Sequence, residues 1–173
     1  MTRTVAEWLT PVKASGMAAY LIASAACAIG AARAADSRIR RLAAVLCILD
    51  IGLLLDIAFN WRWKLYNSLK GDAVNHPWYN QRSGPQMVVL LALAVALIVS
   101  AAWLSRRFAS ARGAPLAICG ALLSIGCWLT EVISLHATDA ILYRHIGPLM
   151  IISFVWILGC AMTAAGIAMA SHL

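Results

Sequence analysis

Five long runs of apolar residues, separated by shorter polar segments, dominate the chain. A helix needs roughly 20 apolar residues to cross the hydrocarbon core of a bilayer, and each run has about that length. Runs of alternating polarity, typical of half-buried strands, are absent, and helices satisfy their own backbone hydrogen bonds in lipid. The pattern predicts an all-α integral membrane protein, a single membrane domain over residues 1–173. We expect five transmembrane helices, at about 12–34, 42–61, 87–105, 115–135 and 147–170.

One longer polar and aromatic-rich segment, 62–86, separates the second and third predicted helices. Its first half, through Lys70, is rich in Trp, Tyr and basic residues, which concentrate at membrane–water interfaces. We therefore expect this half to continue the second helix beyond the membrane as an interfacial extension, or to lie flat on the membrane surface. The second half has more polar groups than an anchor needs, and we interpret it as a lid or docking surface. The residues predicted to contact a substrate are Trp78, Tyr79 and Arg82, together with Arg144 from a later loop.

Proline, glycine and small residues give further information on where the predicted helices begin and how they pack. Pro115 and Pro148 stand at the starts of the fourth and fifth predicted helices, where a missing N–H is tolerated. The pair Gly84-Pro85 predicts a turn before the third helix. Small residues four apart allow helices to approach closely, although the pattern does not say which helices pair. These pairs are Gly120 with Ser124 and Gly159 with Thr163.

Composition supports a lipid environment and excludes several classes of protein. The chain is 62% hydrophobic and 12% charged, whereas soluble domains are about 25% charged. Its formal charge is +7, but the basic residues lie between apolar runs and form no stripe for nucleic acid. The five cysteines lie inside apolar runs without a CxxC pair, so helix packing is favoured over disulfide exchange or a Cys-ligated metal.

Basic residues also predict an orientation. The short segments 33–41 and 106–112 are dense in arginine and fall on the same side of a five-helix bundle. The other side carries as many Lys and Arg residues, spread over longer segments. Because short basic loops stay in the cytoplasm, we expect a bacterial-type inner membrane protein with its N-terminus outside and its C-terminus in the cytoplasm.

Three acids lie inside the predicted helices: Asp50 near the middle of the second, Asp56 near its end, and Glu131 near the same end of the fourth. Acids at membrane depth face a partner or a cavity and are usually functional. Asp56 and Glu131 are candidate catalytic residues, as a buried acid pair or a proton-handling site. The alternative is that each pairs with an arginine or a backbone group to fix helix packing. The arginines on the correct side are Arg62, Arg82 and Arg144.

Helical spacing places Gly52, Asp56, Asn60 and Trp63 on one stripe of a continuous second helix. Asp50 lies about 240° around the helix from Asp56. If both acids face protein, the second helix should be central in the bundle.

Histidines gather on the predicted outer side. His136, Asp139 and His145 are candidate ligands for Zn, Cu or Fe, because imidazole and carboxylate groups bind these metals. His136 is also a candidate catalytic residue. Their spacing matches no sharp metal motif, so interfacial histidines bonded to loop carbonyls are the favoured interpretation.

Three functions remain open, and no nucleotide-binding, hydrolase or zinc-protease motif narrows them. The first is an accessory subunit that stabilises a larger membrane complex, through other subunits or self-association in the bilayer. The second is a binding site or enzyme for an amphiphile such as a lipid or quinone, with or without a metal ion. The third is a proton or ion path through Asp50, Asp56 and Glu131.

Overall fold

The computed structural model describes residues 10–73, 83–133 and 136–171, with the side chains of 69–73, 136 and 137 excepted. It is 87% helical, which confirms the all-α class. The elements are α1 Pro11–Arg33, α2 Ser37–Phe59, α3 Trp61–Ala73, α4 Ser83–Arg107, α5 Ala114–Ile133, α6 His136–Leu142, β1 His145–Ile146, β2 Leu149–Met150 and α7 Ile151–Ser171. Within these described ranges, the five helices α1, α2, α4, α5 and α7 are long and apolar enough to cross a membrane.

Capping residues set the starts of the first two helices. The Thr10 hydroxyl accepts a hydrogen bond from the Lys13 N–H, and Pro11 occupies the first turn of α1. The Asp36 carboxylate accepts from the Arg38 N–H at 2.7 Å. Helix α2 therefore starts more than a turn before the predicted residue 42, because a cap, rather than the first apolar residue, starts a helix.

The five long helices pack in a definite order. Helix α1 lies between α2 and α7, α7 packs on α5, and α4 has α5 as its principal neighbour. Aromatic and aliphatic side chains such as Tyr20, Ile57 and Trp156 fill the half of the core nearest α3. Smaller side chains, including Cys27 and Ala117, fill the other half. The core therefore contains larger side chains at its α3 end than at the opposite end.

Helices α5 and α7 approach each other through small residues. A Cβ atom added at Gly120 would lie within 3.0 Å of the Gly159 carbonyl and the Thr163 amide. An atom added at Gly159 would meet the Ser124 hydroxyl. The two small-residue pairs noted in the sequence thus face each other across one interface, where the missing side chains let the backbones touch.

The segment after α2 differs from its prediction. Helix α2 ends at Phe59, and Asn60 adopts the left-handed conformation with φ 55° and ψ 41°. Trp61 then begins the separate helix α3, which contacts both α2 and α5. The predicted continuous extension of the second helix is therefore wrong, and so is the stripe from Gly52 to Trp63. Asparagine is one of the few residues that tolerate this conformation, so it can break the helix here.

The turn predictions had mixed outcomes. Pro115 lies in the first turn of α5, as expected. Pro148 lies instead in the turn of a hairpin in which β1 pairs antiparallel with β2, so α7 begins only at Ile151. Gly84 and Pro85 lie in the first turn of α4 and make no separate turn. The first turn of a helix accepts proline because its N–H groups have no intrahelical partner.

Candidate functional site

Arg62 is the centre of a buried charged cluster at the α3 end of the bundle. Its side chain is 8% exposed, and its Nη1 donates to Oε2 of Glu131. Its Nε lies 3.5 Å from Oδ2 of Asp56. One guanidinium therefore stands between two buried carboxylates, one from α2 and one from α5.

Asp56 also determines where the arginine lies. Its Oδ1 accepts a hydrogen bond of 2.8 Å from the backbone N–H of Arg62, in the first turn of α3. The first N–H groups of a helix lack intrahelical partners, so this carboxylate acts as a cap for α3. The break between α2 and α3 at Asn60 places the arginine side chain beside the carboxylate six residues before it.

The second oxygen of Glu131 has its own donor. The Tyr143 hydroxyl donates to Oε1 at 2.9 Å, so both carboxylate oxygens are bonded. Partial burial and the nearby Glu131 carboxylate raise the pKa of the Tyr143 phenol above its usual range, which keeps it a neutral donor.

The Arg62 guanidinium also contacts an aromatic ring. It lies 4.9 Å from the ring centre of Trp156, a cation–π contact.

A cavity of about 400 Å³ opens above this cluster. It is bounded by the start of α1, the start of α3, the β1–β2 hairpin and the first turns of α7. Trp63, Trp156 and Met150 supply much of its apolar wall, and the rings of Trp63 and Tyr143 lie 6.3 Å apart. Its ionisable residues are Lys13, Arg62, Glu131, Tyr143 and His145.

The structure brings two of the three catalytic candidates together. Asp56 and Glu131 share Arg62, which was one of three arginines considered as a structural partner. His136 begins α6, but its side chain lies outside the described residues, so its predicted role stays a prediction. Of the predicted substrate contacts, Trp78, Tyr79 and Arg82 also lie outside them. Arg144 is exposed beside the hairpin, outside the residues that line the cavity.

The predicted metal ligands are only partly described. Asp139 is half-buried on α6, and His145 is exposed on β1, where it lines the cavity. Within residues 10–73, 83–133 and 136–171, no three His, Cys, Asp or Glu side chains are placed to hold a metal ion. Because the side chain of His136 is not among those searched, the metal site stays a prediction.

Asp50 lies deeper, in the middle of α2. Its side chain is 1% exposed, and Cys27 Sγ lies 3.9 Å from its Oδ2. Both acids of α2 are therefore buried, yet Val45 and Ile48 on the same helix are 62% and 72% exposed. The inference that α2 is central is thus wrong. Asp56 is buried against Arg62, in the first turn of α3.

Two members of the cluster were missed from the sequence. The sequence pattern predicted neither Tyr143 nor Trp156 as part of a site. Trp156 lies about one turn into α7, at the same end of the bundle as Glu131, so matching depths could have suggested it. Nothing in the sequence pairs Tyr143 with Glu131, because the contact depends on how the 134–142 connection folds.

Comparison of the chain with protein-family models, with curated proteins and with solved structures finds no match.

Proposed function

We propose that this is a multi-pass membrane protein whose cavity at the α3 end binds the polar head of an amphiphile, such as a lipid or a quinone-like molecule. The cavity itself carries the proposal. Its volume of about 400 Å³ lies within the range of small-molecule sites, about 300–1,000 Å³. Such sites combine mainly apolar walls with a few fixed polar groups, as this one does.

The chemistry of the cavity suits an amphiphile. Arg62 and Glu131 bind each other, so the floor offers polar groups in fixed positions. Trp63 and Trp156 provide flat apolar surfaces beside them. A polar head would bond to the floor while its apolar part lies against the rings. Lys13 and His145 at the same cavity would favour a head with hydrogen-bond acceptors.

The proposed orientation puts the cavity on the outer face of a bacterial-type inner membrane. The Arg-rich connections 33–41 and 106–112 lie at the opposite end of the five apolar helices from α3. Short basic segments of this kind favour the cytoplasmic side. Single cysteines placed at Ser110 and at Ile146, in a background without the native ones, would test this with a membrane-impermeant maleimide. Labelling at Ser110 but not at Ile146 in sealed right-side-out vesicles would reverse the orientation.

Native mass spectrometry of the protein, released from its membrane in mild detergent, would test binding. Val12→Phe puts a ring into the cavity from α1, and Ala18→Phe adds the same ring on an exposed part of that helix. We expect a bound amphiphile in the wild-type protein and in Ala18→Phe, and a several-fold loss in Val12→Phe. Equal occupancy in both variants, or no bound amphiphile in any of the three, would contradict the proposal.

An accessory subunit is the second candidate, and α4 favours it. None of its residues is buried, and side chains such as Leu91 and Ile98 are 67% and 69% exposed. A helix with so little of its surface covered suits packing against a neighbouring subunit as well as contact with lipid. Crosslinking in membranes from a photoreactive residue at Ile98 would test it. Adducts with lipid alone would argue against a protein neighbour on this helix.

A further inference from the structure

Asp50 is buried without a charged partner. Its side chain is 1% exposed, and Oδ1 has no hydrogen-bond partner among the described residues. Its one polar contact is the weak one from the Cys27 thiol, at 3.9 Å from Oδ2. The residue stands in the middle of α2, so neither end of that helix can bond its carboxyl group.

The groups around Asp50 come from three other helices, and they are neutral ones. Helix α1 contributes Tyr20 and Cys27, and α7 contributes Cys160. Helix α5 adds Cys127 to the same part of the core. In the described part of the chain, Arg62 is the buried basic residue, and it is bound to Asp56 and Glu131. A carboxylate without a counter-ion is costly in such surroundings, so burial favours the neutral acid.

The two directions away from Asp50 differ in polarity. Toward the cavity, two buried polar atoms have no hydrogen-bond partner within the described residues: Ser153 Oγ and Trp128 Nε1. Buried polar groups are normally bonded, so atoms of this kind mark places where water or a shifted side chain completes the bonding. The Tyr20 side chain lines a small space that Asp56 and Arg62 also line, and a side chain has to shift before this space can hold water.

Toward the Arg-rich end the core is mainly apolar and tightly packed, and the hydroxyl of its buried Thr163 already donates to the Gly159 carbonyl. Ala43, Ala117 and Ile167 form the next layer, followed by a layer of other small and aliphatic side chains. A Cβ atom added at Gly166 would lie within 3.0 Å of backbone atoms of Gly113 and Ala117. This side of Asp50 therefore offers no polar route in the described residues.

We propose that Asp50 is a reversible proton-binding site in the middle of the bundle, reached from the cavity end only. The neutral acid releases its proton to water that enters along the polar side and becomes a carboxylate. It is reprotonated from water by the same route, so no other reactant is consumed. This function is separate from amphiphile binding, since it needs no occupant of the cavity.

Infrared spectroscopy of the protein in liposomes tests the proposal directly. Wild-type protein carrying ¹³C at the aspartate side-chain carboxyl should show an isotope-shifted C=O band of a protonated acid, which distinguishes it from Glu131. The band should persist in Asp56→Asn, vanish in Asp50→Asn and lose intensity as the pH rises. It should also shift in D2O, which shows that the proton exchanges.

Several results would overturn the proposal. Absence of the band at every pH means that Asp50 is permanently ionised, and a band that responds to neither pH nor D2O means that its proton is locked in place. If Asp50→Asn does not fold, the labelled wild-type protein still makes the assignment when the band persists both in Asp56→Asn and in Asp139→Asn. The route is tested by Ser153→Val, which should slow the D2O shift several-fold, against Ser171→Val at the opposite end, which should not. Equal rates in the two would rule out access from the cavity end.

Discussion

Arg62 and Glu131 are 69 positions apart in the chain, and their side chains form a buried ion pair that ties α3 to α5 at one end of the bundle. The pair is 8% and 2% exposed. Asp56, at the end of α2, caps α3 and is also paired with the arginine. The Arg62 guanidinium therefore links three helices, α2, α3 and α5.

Replacing Arg62 by Met should leave two carboxylates buried without their cation. Removing one partner of a buried ion pair costs about 3–5 kcal/mol, so we expect a large fall in the free energy of unfolding in detergent. The double variant Arg62→Met with Glu131→Gln should lose less than the sum of the single changes, because the second removes the charge that the first leaves unpaired. Additive losses in this cycle would show that the pair does not act as a unit.

Two substitutions of Asp56 separate its roles as helix cap and as ion-pair partner. Asn keeps an oxygen that can accept from the Arg62 N–H but removes the charge, whereas Ala removes both. We expect Asp56→Ala to lower the free energy of unfolding by about 1 kcal/mol more than Asp56→Asn, the usual worth of a cap. Equal losses would mean that the backbone hydrogen bond contributes nothing measurable.

Removing the Tyr143 hydroxyl should show how much its hydrogen bond to Glu131 contributes to the free energy of unfolding. In Tyr143→Phe one oxygen of a buried carboxylate loses its donor, which costs about 1–3 kcal/mol. Because Glu131→Gln removes the charge that accepts this bond, Tyr143→Phe should cost less in that background. The check is the free energy of unfolding of the four proteins at neutral pH.

The same tyrosine predicts a pH dependence. Its pKa is higher in the folded protein than its ordinary value of about 10, so folding favours the protonated phenol. This stabilisation is complete below pH about 10 and is lost as the pH rises toward the folded pKa. We expect the free energy of unfolding to fall above pH about 10 less steeply in Tyr143→Phe than in wild type. Identical slopes would contradict a raised pKa.

The α5–α7 interface gives a prediction with a matched control. Gly120→Ala puts a methyl group within 3.0 Å of backbone atoms of Gly159 and Thr163, so the helices must separate. At Gly52 an added Cβ meets nothing within 4 Å, and Ala there should be neutral or stabilising by up to about 1 kcal/mol, since it replaces a helical glycine. Thermal unfolding in detergent should therefore rank Gly52→Ala at or above wild type and Gly120→Ala below it. A reversed order would mean that the close approach of α5 and α7 does not require a glycine at position 120.

The sequence determined the elements of this protein more fully than their contacts. Hydropathy located the five apolar helices to within about a turn at most ends, because a helix in lipid must be continuously apolar over a fixed length. It also marked Asp50, Asp56 and Glu131 as unusual, since charged groups are rare inside such helices. The small-residue pairs of α5 and α7 were visible as well, but not that they face each other.

Tertiary structure alone decided which polar groups meet. The left-handed conformation of Asn60 turned the expected extension of α2 into the separate helix α3, and this turn brings Arg62 back onto Asp56. The partners of Glu131 come from the start of α3 and from the loop before the hairpin, so no spacing along one helix could reveal them. Periodicity specifies a face of one helix, whereas an ion pair between helices depends on their relative rotation and on the turns that join them.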